Sequence, residues 1–201
     1  MNFNRGQKGL LLLALLFFGP VLVAFLLVNN MHWLGDYSTK NHGELVEPAR
    51  PLADVALSTE KNQSFRFSAL RGKWIMVYLG HSACGSECAD ALYKMRQARL
   101  VQGEELERIE RLYISIDGNP DASLRQVMQQ HVGMGLVRGD KAVIDQLLQQ
   151  FGSSRQQISR GAAGLYLVDP LGNLMMRYPR GYAAKGLVQD LQLLLKASYV
   201  G

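Results

Sequence analysis

Residues 71–95 read RGKWIMVYLGHSACGSECADALYKM, and the remaining chain is arranged around them. Positions 74–79 form an unbroken apolar run of strand length, the next seven positions are rich in Gly and Ser, and from Cys88 the apolar residues Ala91, Leu92, Met95 and Ala98 recur at helical spacing. A buried strand that hands over to a helix places the loop between them at the carboxyl edge of a sheet. There the unpaired N–H groups of the helix N-terminus favour an anion. The chain has two cysteines, Cys84 and Cys88, and both fall on this junction. A thiolate is the anion the junction offers.

The C-x-x-x-C spacing limits the chemistry. On a regular helix, side chains four apart hold their Cβ atoms roughly 5–6 Å apart, whereas a disulfide needs about 3.5–4.5 Å. An intramolecular disulfide therefore requires Cys84 off the helix, and Gly80, Ser82, Gly85 and Ser86 allow that bend before a helix starts near Glu87 or Cys88. Reduced, the pair presents two soft thiolates that suit Cu(I), with Zn(II) disfavoured for want of further ligands. A redox couple and a soft-metal clamp are both open. The plainer reading, two small buried hydrophobes, does not explain why both sit at this junction.

Other donors are weighed against ordinary roles. His81, three residues before Cys84, is a candidate metal ligand or a base that lowers the cysteine pKa; its ordinary role is a loop histidine. His131 has no sequence feature that brings it to the sulfurs. Met134, Met175 and Met176 lie in apolar runs and read as core. Glu87 and Asp90 flank Cys88 and read as partners of the helix dipole. His32 and His42 fall in a polar stretch and read as solvated.

Towards the N-terminus, Arg5 and Lys8 precede an apolar run over 10–28, about the length that spans a bilayer core. A cleaved signal peptide would have a shorter apolar core and an A-x-A-like site, and the run is followed instead by VNNMHW. The expectation is an uncleaved single-pass anchor with residues 1–9 cytoplasmic, Trp33 at the outer interface and all later residues outside. In a bacterium this is the inner membrane with a periplasmic domain, where a cysteine pair can be oxidised. Residues 29–51 read as linker, and residues 52–201 are about the size of one domain.

Within 52–201 the pattern predicts short strands over 54–57 and 64–67 around a turn, the 74–79 strand, the cysteine helix and a strand over 112–116. It continues with a helix capped by Asp121 or Ser123, a short strand over 134–137 and a helix over 141–151. A hairpin of 165–168 and 174–178 about Asp169-Pro170-Leu171-Gly172-Asn173 and a closing helix over 185–196 complete it. This order implies a central mixed sheet with helices on both faces.

That arrangement resembles the thioredoxin-like fold. Three stretches are similar to the Sco/SenC (PrrC-like) family of cytochrome oxidase assembly proteins: FSALRGKWIMVYLGHSACGSEC, RLYISIDGNPD, and LYLVDPLGNLMMRYP followed by a terminal helix. The resemblance covers roughly residues 54–197, and its cysteine stretch is the most specific part. It implies that Cys84 and Cys88 are copper ligands and that the partner is the copper-site subunit of cytochrome oxidase or another assembly factor. The family's third ligand, a His before the L-Y-L-V strand, would fall near Gly161, and no His lies there; the thioredoxin cis-Pro is missing from the same place.

The function expected on this basis is a membrane-anchored, Sco-like assembly protein. It acts by Cu(I) delivery or by thiol–disulfide exchange, with Cys84 attacking a partner disulfide and Cys88 resolving it. The alternatives are a general periplasmic thiol–disulfide oxidoreductase and a scaffold without chemistry. The formal net charge of +5 is ordinary beside an anionic membrane face. The basic residues Arg177, Arg180 and Lys185 lack the repeating, aromatic-interleaved pattern of a nucleic-acid footprint.

Overall fold

The computed structural model describes residues 5–29, 41–160 and 164–198. The chain divides into two units, residues 1–40 and residues 41–201. In the first, helix α1 (Arg5–Asn29) carries Pro20 inside it. Residues 5–27 of this helix are long and apolar enough to cross a membrane, and none of that span is buried within the protein. Of the expected cytoplasmic end at 1–9, residues 1–4 lie outside the described residues and residues 5–9 belong to α1; Trp33 and His32 also lie outside the described residues.

The second unit is an eight-stranded sheet in the order β1 (Glu44–Pro51), β8 (Asn173–Tyr178), β7 (Leu165–Val168), β4 (Trp74–Gly80), β5 (Ile109–Ser115), β6 (Met134–Arg138), β2 (Leu57–Thr59), β3 (Ser64–Phe65). At its centre lie β4 (Trp74–Gly80), β5 (Ile109–Ser115) and β7 (Leu165–Val168); β4 runs parallel to β5 and antiparallel to β7. Because β4 is covered on both faces, its alternation is of apolar with apolar. Trp74 and Met76 pack into one core, while Ile75, Val77 and Leu79 pack into the other. β7 divides the same way, with Leu165 and Leu167 against Tyr166 and Val168.

The first core is closed by α2 (Ser86–Leu100), α3 (Ala122–Gln129) and α6 (Ala184–Ala197), which contribute Leu92, Met95, Leu124, Leu187 and Leu191. The second is closed by α4 (Lys141–Gln150) and α5 (Arg155–Ser159), with Ile144, Leu147 and Ile158. Each such aliphatic side chain contributes about 1.5–3 kcal/mol on burial. The expected mixed sheet with helices on both faces is therefore present.

Local chemistry sets the element ends. Asp121 caps α3, its Oδ1 accepting from Leu124 N at 3.0 Å. In the turn between β7 and β8 (Asn173–Tyr178), Asp169 Oδ1 accepts from Leu171 N and Asn173 N, and Gly172 supplies a φ of 88°.

Two edges differ from the sequence reading. The stretch 29–51, read as linker, contains the edge strand β1 (Glu44–Pro51), antiparallel to β8. Its two prolines and mostly exposed side chains erase the alternation by which a strand is recognised, and proline is tolerated on an edge. The carboxylate of Asp190 on α6, 2% exposed, anchors the entry to this strand by accepting from His42 N (2.9 Å), Gly43 N (2.9 Å) and Tyr178 OH (2.8 Å). His42, read as solvated, is thus tethered, its Nδ1 3.2 Å from the same carboxylate. The early hairpin is β2 (Leu57–Thr59) and β3 (Ser64–Phe65), and it adds to the opposite edge, where β2 pairs with β6 (Met134–Arg138). The helix α5 had no counterpart in the sequence reading, being too short to show a periodicity.

Candidate functional site

The carboxyl ends of β4 and β5 build the site. β4 ends at Gly80, where a Cβ would collide with the phenol of Tyr113, so glycine is required for the chain to leave the sheet here. The loop that follows is tied to β5, to the start of α3 and to the connection between them by five bonds. Ser82 N and His81 Nδ1 bond the Asp117 carboxylate at 2.5 and 2.8 Å, and Asp121 N donates to Ser82 O at 2.9 Å. Tyr113 OH donates to His81 O at 2.6 Å, and Cys84 N donates to Ser123 Oγ at 3.0 Å. Ser123 Oγ in turn donates to the capping Asp121.

This lattice holds Cys84 outside the helix, while Cys88 sits in the first turn of α2, behind the Gly85 N-cap. The Cα atoms are 5.3 Å apart, and the two sulfurs are joined in a disulfide. The loop geometry that the C-x-x-x-C spacing demanded is the one adopted. Both cysteines are buried, Cys84 at 8% and Cys88 at 9% exposure, so neither is the more exposed. They differ in surroundings. Cys88 Sγ lies 3.9 Å from Tyr113 OH and lines a cleft of about 380 Å³, whose walls include Tyr78, His81, Ser159, Gly164 and Tyr182.

Electrostatics fix the roles of the neighbours. Burial, and then Tyr78, Asp117 and Asp121, push Tyr113 far above the ordinary phenol range, so it stays a donor. Its one proton goes to His81 O, so with Cys88 in the disulfide the 3.9 Å approach of the phenol oxygen to Sγ is a contact without a hydrogen bond, and only a reduced Cys88 thiol could donate to it. Burial raises the Asp117 carboxyl, but the bonds from His81 and Ser82 outweigh it, and the group is held below the usual carboxylate range. Of the acids beside Cys88, Asp90 pairs with Lys94 at 2.7 Å and Glu87 with Arg180.

The remaining sequence candidates fall as follows. His81 reaches the cleft, but both ring nitrogens are engaged, Nδ1 by Asp117 and Nε2 by Ser159 Oγ at 3.2 Å. His131 lines a different cavity, with Arg125 and Met134. Met176 is core, as read. Gly161 and its neighbours 162–163, where the family His would fall, lie outside the described residues; the flanking Ser159 and Gly164 both line the cleft. Among the described residues no group of three or more His, Cys, Asp and Glu is placed to hold a metal. Among the described residues the junction offers two sulfurs, which once reduced would suit Cu(I) better than Cu(II).

Sequence reasoning missed Tyr113, Asp117 and Ser159 as site residues. For the first two a signal existed: Tyr113 is two residues from the end of β5, Asp117 two residues past it, and ligand sites in sheets of this kind gather at the strands' carboxyl ends.

Residues 74–198 match the family described as transmembrane-like, thioredoxin-like, C-terminal domain. No curated protein matches the sequence. Among solved structures, yeast Sco1 with copper bound is similar at a TM-score of 0.63 and 21% identity, over 76% of this chain and 96% of that one. Apo Sco1 from Thermus thermophilus gives 0.62 and 21%, over 80% and 99%. BsSco, a member of the Sco family of cytochrome c oxidase assembly proteins in which a disulfide switch was identified, gives 0.59 and 13%, over 75% and 96%. These likenesses establish a thioredoxin-like fold of the Sco type.

Proposed function

The chain belongs to the family of transmembrane-like, thioredoxin-like C-terminal domains, and from that premise we propose that it is a membrane-anchored, Sco-like thiol protein acting on the copper site of cytochrome oxidase. The observation that carries this reading is the Cys84–Cys88 disulfide at the mouth of a cleft, next to Tyr113 and at the N-terminus of α2. α1 is the anchor, with residues 1–9 cytoplasmic and the sheet unit in the periplasm.

In its dithiol form the pair reduces a partner disulfide. Cys88, which faces the cleft and has the helix dipole to favour its thiolate, attacks one partner sulfur, and the other leaves as a thiolate. Cys84 then attacks Cys88 Sγ, closing the intramolecular disulfide and releasing the second partner thiolate. Two electrons and two protons pass to the partner, and a periplasmic dithiol must restore the starting state. This reading takes the opposite order of attack from the one expected from the sequence, and the lining of the cleft by Cys88 supports it.

A second chemistry at the same sulfurs is supported by the copper-bound relative. The dithiol holds Cu(I) as cargo between Cys84 and Cys88 and passes it on by ligand exchange. His81 joins as a third ligand only by giving up Asp117 or Ser159.

The test is a Cu(I) competition titration on the reduced full chain in detergent, with a Cys84→Ser/Cys88→Ser control, followed by thiol exchange with the oxidised oxidase copper-site subunit. One equivalent bound and lost in the control establishes copper as cargo. No binding but exchange with the subunit establishes the redox role. Neither, together with unchanged oxidase assembly in a Cys84→Ser strain, overturns the reading in favour of a scaffold.

A further inference from the structure

A second polar site lies towards the opposite end of the sheet from the disulfide. Arg111, the third residue of β5, is 4% exposed. Its Nη2 donates to Val132 O at 2.7 Å, but Nε and Nη1 are buried and meet no acceptor among the described residues. The nearest acid in sequence, Glu110, is engaged by Lys73 at 2.6 Å.

Two further arginines share the cavity that Arg111 lines. Arg96 and Arg99 stand one turn apart near the C-terminus of α2, and with Gln130 and Val132 they enclose about 160 Å³. Arg99 is partly committed, its Nε donating to Ile109 O at 2.7 Å. Arg96 is exposed, Arg99 intermediate and Arg111 buried, so positive charge runs from the surface inwards. No carboxylate forms an ion pair with any of the three among the described residues.

Three guanidinium groups around one small cavity repel each other, and a buried guanidinium with unmet N–H groups is costly unless an anion compensates it. Backbone carbonyls take one N–H each of Arg99 and Arg111, and the C-terminal end of α2 favours the charges of Arg96 and Arg99, yet among the described residues no carboxylate neutralises any of the three. The cavity is well below the roughly 300–1,000 Å³ of pockets for drug-sized ligands, so the missing partner has few heavy atoms. Guanidinium forks match the oxygens of a phosphate group in pairs. We propose that the cavity walled by Arg96, Arg99 and Arg111 binds a phosphate-type oxyanion, either the free ion or the phosphodiester headgroup of a lipid. Arg96 and Arg99 stand about 12 and about 17 Å along α2 from Cys88, as eight and eleven helical residues require, and the proposal does not depend on the thiol reading.

The experiment is isothermal titration of the full chain in non-ionic detergent at constant ionic strength, with inorganic phosphate and with short-chain, water-soluble phosphatidylglycerol as probes. One equivalent of at least one probe should bind, with affinity falling at least tenfold in Arg96→Gln, an exposed change that spares the fold, and in Arg111→Met. A diester at least tenfold tighter than phosphate assigns the headgroup as ligand, and the reverse order assigns the free ion. No binding of either probe, equal binding of acetate, or affinities unchanged in Arg96→Gln would overturn the proposal.

Discussion

Reducing the Cys84–Cys88 disulfide should weaken the fold only slightly, and the size of the loss separates a redox pair from a structural staple. The cysteines are four apart in sequence. In the chain-entropy description, so short a loop restrains the unfolded chain by about 2 kcal/mol, against about 4.7 kcal/mol for a hundred-residue loop. A domain is stable by about 5–15 kcal/mol, so the dithiol form stays folded, as a protein that cycles between the two states requires. The sulfurs remain among Leu92, Met95 and Tyr113, and the loop keeps its bonds to Asp117, Asp121 and Ser123, none of which passes through sulfur. The assay is urea unfolding of the full chain in detergent with and without a phosphine reductant, with Cys84→Ser/Cys88→Ser alongside. The expected loss is about 2 kcal/mol, or a fall in Tm of about 4–8 °C. Unfolding on reduction, or a loss above about 4 kcal/mol, would refute the reasoning and make the disulfide structural.

Asp190→Ala should cost about 3 kcal/mol in the same assay, because it strands two backbone N–H groups and the Tyr178 hydroxyl without their acceptor; hydrogen exchange in β1 should rise with it, and a loss under about 1 kcal/mol would contradict the anchoring role. Burial, followed by Arg111 and Arg96, holds the His131 imidazole below its ordinary value. On acidification the unfolded chain therefore takes up this proton first. The stability due to neutral His131 is present above about pH 6.5 and is lost as pH falls through the lower folded value. His131→Gln should accordingly flatten the fall in urea midpoint between pH 7.5 and pH 5, and an unchanged slope would show that the group does not act this way. Gly164→Val would bring its Cβ to 2.8 Å from the Tyr78 ring and press that ring into the cleft. Thiol exchange at Cys88 should slow about tenfold, equivalent to about 1.4 kcal/mol, while the urea-measured stability of the disulfide form changes little.

The sequence by itself determined the central strands, the helix bearing Cys88 and the off-helix position of Cys84. These follow from short-range causes: apolar runs at 74–79 and 165–168, helical recurrence from Ala91 to Ala98, and a three-residue spacing that a helix cannot close into a disulfide. The capping by Asp121 and the Asp169 turn were legible for the same reason, since each is settled within a few residues. The tertiary structure alone decided what depends on residues distant in the chain. Asp190 meets His42 across 148 positions to fix an edge strand whose prolines conceal it. Tyr113 reaches the sulfur of Cys88 from the neighbouring strand, and Asp117 and Ser159 close on the two nitrogens of His81. Arg111 shares a cavity with Arg96 and Arg99 through the packing of α2 on β5. Backbone periodicity records which face a side chain takes, whereas the partner it finds there is set by how the sheet and helices pack.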